Sequence, residues 1–312
     1  VVIYAIQRLL LSMIIIVVAV SLLNVMLHLV PGDPAVMVLG PRATPELIER
    51  TRLEMGLDRS MLVQLAMFFG NLLRGDMGTD IFTGREVSTI VMEALPYTLI
   101  LITVSILWAM AIGIPLGCYS AVRRNSWLDR VTGVLSVATI SIPAFVMALY
   151  GVLIFAVWLR WLPAIGAGET FAEQIRHLIL PAFAVGVSWV GYIARVVRAS
   201  MLEVMGENHV RMARAFGLRE GRILTAHVLR IAVLPAVTLI GAGVAHLFSA
   251  AVFVEVIFAR PGIGALIVGA VNERNYPIVL GAVLVTTGII VLATLISDLV
   301  VAWLDPRLRE EL

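Results

Sequence analysis

The sequence contains no lysine. All 23 of its positively charged side chains are arginine, so it cannot build a P-loop, whose lysine has to reach the bound phosphates. Any ATP used through such a loop belongs to another subunit. Cysteine is nearly absent too. Cys118 stands alone in an apolar run, which excludes an internal disulfide and a thiolate metal cluster. The five histidines (His28, His177, His209, His227, His246) form no H-E-x-x-H pair for zinc. Charge is scarce, at 14% of residues against about 25% in ordinary soluble domains. A formal net charge of +2 gives no sign of a nucleic-acid partner.

What fills the sequence is apolar: 60% of the 312 residues are hydrophobic, more than one soluble core needs, and this places the chain in the membrane class. A spanning helix takes about 20 mostly apolar residues. Six stretches qualify, at 9–30, 97–121, 131–159, 178–197, 234–258 and 279–304. The first is too long for a signal peptide and no small-residue cleavage site follows it, so it reads as an uncleaved span. Pro115, Pro143, Pro181, Gly241 and Gly243 interrupt these stretches. Such breaks fit a bundle around a pathway and fit packing kinks equally well. With both termini cytoplasmic, the inner side holds thirteen arginines and the short outer loops four, the asymmetry that orients membrane proteins.

The first outer loop, 31–96, reads as partly helical. "PGDP" (31–34) stops the first helix, Thr44 is an N-cap with Pro45 at the first helical position, and Gly56 is the matching C-cap. A second amphipathic piece, 61–75, is suited to the membrane surface. Six arginines against nine acids make the loop mildly acidic, either as a plain folded surface or as a docking or gating surface for an external partner.

The inner loop, 195–233, contains "ARAFGLREGR" (213–222). Val210, Ala213, Phe216 and Ala215 can share one face of a short helix. Gly217 supplies the left-handed residue that ends it, with Leu218 placed for the accompanying apolar contact. A second helix follows Glu220, carries Ile223, Leu224, Val228 and Ile231, and reaches Pro235. Arg214 and its neighbours suit a surface helix held to anionic lipid. The apolar tip at Phe216 suits a projection that fits a groove on another protein.

No catalytic constellation stands out. Ser188 and His246 are the one pair that could be cast as nucleophile and base of an intramembrane protease. Charges inside spans are expensive and so point to function. Glu255 lies near the outer end of the fifth span, as a pathway or gate residue, while Asp298 falls near the inner interface. Ser141, Pro143 and Ser188 are further pathway candidates. Asn24 and His28 read as helix–helix contacts. From these features alone, a channel or secondary transporter independent of ATP stays open.

The chain resembles the bacterial ABC-importer permeases of the dipeptide, oligopeptide and nickel group, most of all the dipeptide permease B type. The resemblance covers nearly the whole chain. It rests on an ordered series that includes "LVPGDPA", "ATPELIERTRLEMGLD", "LLRGDMG", "ALPYTL", "IPLGCYSAVRRNSWLD", "HLILPAF", "RASMLEV", "VRMARAFGL", "VEVIFARPGIGALIV" and "LDPRLRE". It implies an all-α integral membrane protein of the type I importer permease fold, with six spanning helices in one permease domain. It also implies a second, homologous permease subunit, two ATPase subunits carrying ATP and magnesium, and an external solute-binding protein. The segment from Val210 to Leu218, including Ala213, Arg214, Ala215, Phe216 and Gly217, then corresponds to the helix that engages the ATPase. Arg211-Met212-Ala213 stands where many importers have Glu-Ala-Ala, and Phe216 where this group usually has lysine.

Overall fold

The computed structural model describes residues 2–29, 36, 44–54 and 59–304. The "PGDP" turn and the Gly56 cap lie outside the described residues, as do the side chains of Asn24, His28 and Asp298. The described residues are helical throughout, apart from connecting turns and one antiparallel bridge between Thr79 and Glu86.

In chain order the helices are α1 (Val2–Leu29), α2 (Pro45–Glu54), α3 (Met61–Leu72), α4 (Val87–Val122), α5 (Trp127–Ser141), α6 (Ala144–Trp158), α7 (Phe171–Val204), α8 (Asn208–Ala215), α9 (Glu220–Ala242), α10 (Val244–Ile257), α11 (Ile263–Asn272) and α12 (Tyr276–Leu304). Among the described residues, α4, α7, α9 and α12 are long and apolar enough to cross a membrane, and α5 with α6 makes a fifth if the pair counts as one. The expected span 131–159 is therefore not straight. Its two arms meet at 99°, because Pro143 (φ −60, ψ 146) is extended and starts α6 instead of continuing α5. Pro115 and Pro181 sit inside unbroken helices. The expected span 234–258 also differs. Its helix begins at Glu220, runs through Pro235 and is interrupted at Gly243.

Residues up to Tyr97, with Pro261–Val291, form one compact unit. Thr44 caps α2 as expected: its Oγ1 accepts from the Leu47 N–H at 3.4 Å, with Pro45 at the first position. The unit's core joins Val20 of α1 to Val87 and Val91 of α4, Ile263 of α11, and Ile278 and Ala282 of α12. Phe68, Phe69 and Leu72 of α3 pack against that core, so the piece expected along the membrane surface is anchored on one face. The turn before α4 is organised by Asp80, whose carboxylate accepts from the Phe82 and Thr83 N–H groups (3.2 Å each), the Thr83 hydroxyl and the Asn275 amide.

Thr98–Arg260, with the chain from Leu292 onward, form the second unit, in which α7 is the central element. Thr170 and Glu173 form a reciprocal capping box at its start. One flank of α7 meets α4 at very close range: a Cβ on Gly117 would lie 2.6 Å from the Ala194 carbonyl oxygen, and one on Gly186 2.5 Å from Trp108 Nε1. The other flank meets α5. Small residues at such crossings let backbones approach where lipid supplies no hydrophobic drive. Trp108 seals the α4 contact by donating to the Ala182 carbonyl at 2.8 Å and stacking on Phe183.

Gly117→Leu should force α4 and α7 apart, at about 1–3 kcal/mol for an overpacked contact, read as a lower thermal unfolding midpoint of the purified protein. The Asp80 turn makes a separate prediction. Burial alone would raise this carboxyl, yet the Thr83, Asn275 and backbone hydrogen bonds outweigh it and hold it below its ordinary 3.8. A depressed folded-state value contributes stability above pH 3.8 that is lost as pH falls through the lower, folded value. Amide protection across residues 79–86, relative to the unfolded chain at the same pH, should therefore fall in acid, and Asp80→Asn should flatten that dependence.

Candidate functional site

The turn after α7 is built by its sequence in three steps. Chain direction changes at Met205–Gly206, Glu207 begins α8, and α8 lasts only eight residues. Gly217 (φ +75) then ends it. Its N–H donates to the Arg214 carbonyl at 2.9 Å and the Leu218 N–H to the Ala213 carbonyl at 3.2 Å, the paired hydrogen bonds of a left-handed helix cap. A residue with a Cβ would be strained there.

Val210 and Ala213 are buried and α8 packs on the π-helical opening of α9, where Ile223 and Val228 are also buried. Phe216 does not share their face, contrary to the spacing argument. It is 78% exposed, standing at the C-cap where α8 ends. Met212 is exposed beside it, Ala215 and Arg214 are exposed, and Leu218 is half-buried. Arg214 pairs with Glu220 at 2.8 Å on the surface, an interaction worth about 0–1 kcal/mol.

A polar clamp precedes this turn. Arg198 of α7 donates from Nε (2.6 Å) and Nη2 (2.9 Å) to the two carboxylate oxygens of Asp129 at the start of α5. Asp129 also accepts from the Ser120 hydroxyl of α4 and from the Asn125 N–H at 2.9 Å. Ser126 caps α5 by accepting from the Asp129 N–H at 3.2 Å. One buried carboxylate thus fastens α4, α5 and α7 together. Sequence reasoning missed this. The S-x-x-D spacing marks a helix start, but nothing in the pattern pairs Asp129 with an arginine 69 positions away.

Glu255 on α10 is fully buried, and the Thr98 hydroxyl of α4 donates to its Oε1 at 2.6 Å. Ser141 bonds its own helix at Val137 and is exposed, and Pro143 is exposed at the bend. Ser188 is half-buried on α7 and His246 exposed on α10, with no hydrogen bond between them. The structure brings no pair of these together as a nucleophile and base. Among the described residues no cluster of metal ligands occurs.

Residues 113–310 match the family described as the binding-protein-dependent transport system inner membrane component, and residues 1–102 match its N-terminal companion. The chain belongs to this family of inner membrane transport components. It is a multi-pass membrane protein. A protein of Brucella suis biovar 1 described as a peptide permease is 36% identical over 98% of both chains. A D,D-dipeptide transport system permease of Escherichia coli K12 is 36% identical over 90% of both. The glutathione transport system permease of Salmonella choleraesuis is 35% identical over 98% of both. The resemblance to peptide-group permeases therefore holds. The fold is shared with the inward-facing MetNI methionine ABC transporter (TM-score 0.58, 19% identity), matching 70% of this chain and 97% of that one.

Arg198→Ala should leave the Asp129 carboxylate without its partly exposed counter-charge, a loss of about 1–3 kcal/mol for charge-assisted hydrogen bonds. Thermal unfolding of this inner membrane component should report it, and Arg198→Lys should recover only part, since an ammonium lacks the planar fork that donates two parallel bonds.

Proposed function

We propose that this inner membrane component is the transport half of an ATP-driven peptide importer, driven through the segment Val210–Leu218 by separate ATPase subunits. One observation carries the coupling assignment. A short helix buries Val210 and Ala213 beneath it, while a glycine cap thrusts Phe216 and Met212, 78% and 58% exposed, out of an otherwise basic surface. A lipid-bound surface helix would need the arginines and not the aromatic tip. A partner groove would need the tip. The missing lysine fits the same division of labour, since the phosphate-cradling loop has to come from elsewhere.

In this reading the chain crosses the membrane six times with both termini cytoplasmic, its first span on α1. It pairs with a second permease of the same type. Two ATPase subunits hold ATP and magnesium, and an external binding protein delivers cargo. The cargo class follows the relatives, whose names specify peptides, D,D-dipeptides and glutathione. ATP-driven closure of the ATPase pair pushes on the two coupling turns and biases the bundle outward, and hydrolysis returns it inward. Each ligand acts by binding one of the two states better than the other.

Phe216→Asp should abolish peptide uptake in vesicles containing the assembled transporter while leaving membrane insertion intact. ATP hydrolysis should then no longer respond to loaded binding protein. Normal uptake by this variant would overturn the assignment of the turn.

A further inference from the structure

At the far end of α7 from the coupling turn, a second basic feature has a different construction. Arg160, Arg176 and His177 line a pocket of about 410 Å³ together with Trp161 and Glu173, within the roughly 300–1,000 Å³ range of small-ligand sites. Glu173 is already engaged, its carboxylate accepting from the Glu169 and Thr170 N–H groups at 3.0 and 3.2 Å. Arg176 spends one donor on the Trp161 carbonyl at 3.3 Å and keeps the rest of its fork. His177 places Nδ1 2.8 Å from the Glu173 carbonyl, which leaves Nε2 for another partner. No acceptor within the described residues engages the Arg160 side chain. Arg160 is also held at φ +53, a left-handed position after a helix where glycine is usual and a Cβ carries a steric cost.

The surroundings select the ligand. Trp158, Trp161 and Phe171 are 71%, 62% and 79% exposed, and the Trp161 ring lies 6.1 Å from that of Phe155. Exposed tryptophans beside cations are the signature of a membrane–water interface. The location agrees. A helix of 34 residues is about 50 Å long, enough to place its two ends at opposite faces of a bilayer about 40–45 Å thick. Arginines in such a setting favour a phosphate, which accepts from a guanidinium fork at two oxygens, and basic pockets between membrane helices hold anionic headgroups.

We propose that the Arg160–Arg176–His177 pocket binds the phosphate of an anionic phospholipid, whose chains lie against Trp158 and Phe171. The site rests on the chain's place in the membrane and is independent of the coupling turn, so transport assays and lipid assays fail separately. Glu169 is the nearest acidic side chain in sequence that does not line the pocket. It leaves the lining with two fixed positive charges against Glu173.

The test is native mass spectrometry of the assembled transporter, purified in detergent and titrated with phosphatidylglycerol or phosphatidylcholine. The wild type should retain phosphatidylglycerol roughly tenfold better than phosphatidylcholine, as charge-assisted pairing implies. The double variant Arg160→Gln/Arg176→Gln should lose that preference with ATPase activity unchanged. The double variant Arg160→Lys/Arg176→Lys, which keeps the charge, should retain most of it and guards against a loss that reflects misfolding. Equal retention of both lipids by the wild type would overturn the proposal. So would displacement of phosphatidylglycerol by an equal concentration of inorganic phosphate, which marks a soluble-anion site. Unchanged lipid preference in the glutamine variant with weakened binding-protein affinity would also overturn it, in favour of a protein contact.

Discussion

A carbonyl that loses its helical donor needs another, and that constraint ties the second unit together around α7. Pro181 has no N–H, so the carbonyl four residues earlier, on His177, loses its helical donor. Arg260 supplies the replacement from Nη1 at 3.4 Å. A buried carbonyl left unpaired costs about 1–3 kcal/mol, and the Arg260 contact offsets that cost while holding the segment after α10 against α7. The Thr98–Glu255 hydrogen bond ties α4 to α10 by the same rule. Polar side chains inside this unit act mainly as fasteners for backbone and for one another.

These fasteners make α7 a stiff connector between two ends of different character. Its flanks are close-packed against α4 and α5, and its last two turns are gripped through Arg198 by Asp129. Packed helices slide as units and do not deform continuously. If the turn at Gly217 is pushed, as the proposed function requires, the clamp is where that push meets the rest of the bundle. A surface ion pair such as Arg214–Glu220 cannot transmit comparable force, because solvent screens it.

The sequence made the apolar runs, the Thr44 and Gly217 caps and the break at Pro143 legible, because each is a local signal read over a few residues. It misjudged what happens between distant residues. Pro115 and Pro181 look like breaks, yet both helices are continuous, and at Pro181 a distant arginine replaces the lost donor. The i, i+3 rule placed Phe216 with Ala213, but spacing says nothing of how far cover extends, and at the C-cap Phe216 is exposed while Ala213 is buried. Asp129, Ser120 and Arg198 meet only after three helices have packed. No periodicity in one chain encodes that meeting.

Arginine is this chain's default cation, so a basic cluster alone distinguishes nothing; what surrounds the cluster does. At the inner turn the arginines stand about an exposed phenylalanine on a rigid glycine cap, a shape that matches a protein groove. At the opposite end of α7 they line a concave pocket edged by tryptophans, a shape that matches a headgroup. In the two proposed contacts the same side chain would thus serve a protein groove at one end and a lipid headgroup at the other. Close packing along α7 separates the two ends, so the pocket at Arg160 and Arg176 and the turn at Gly217 stand as independent features of one helix.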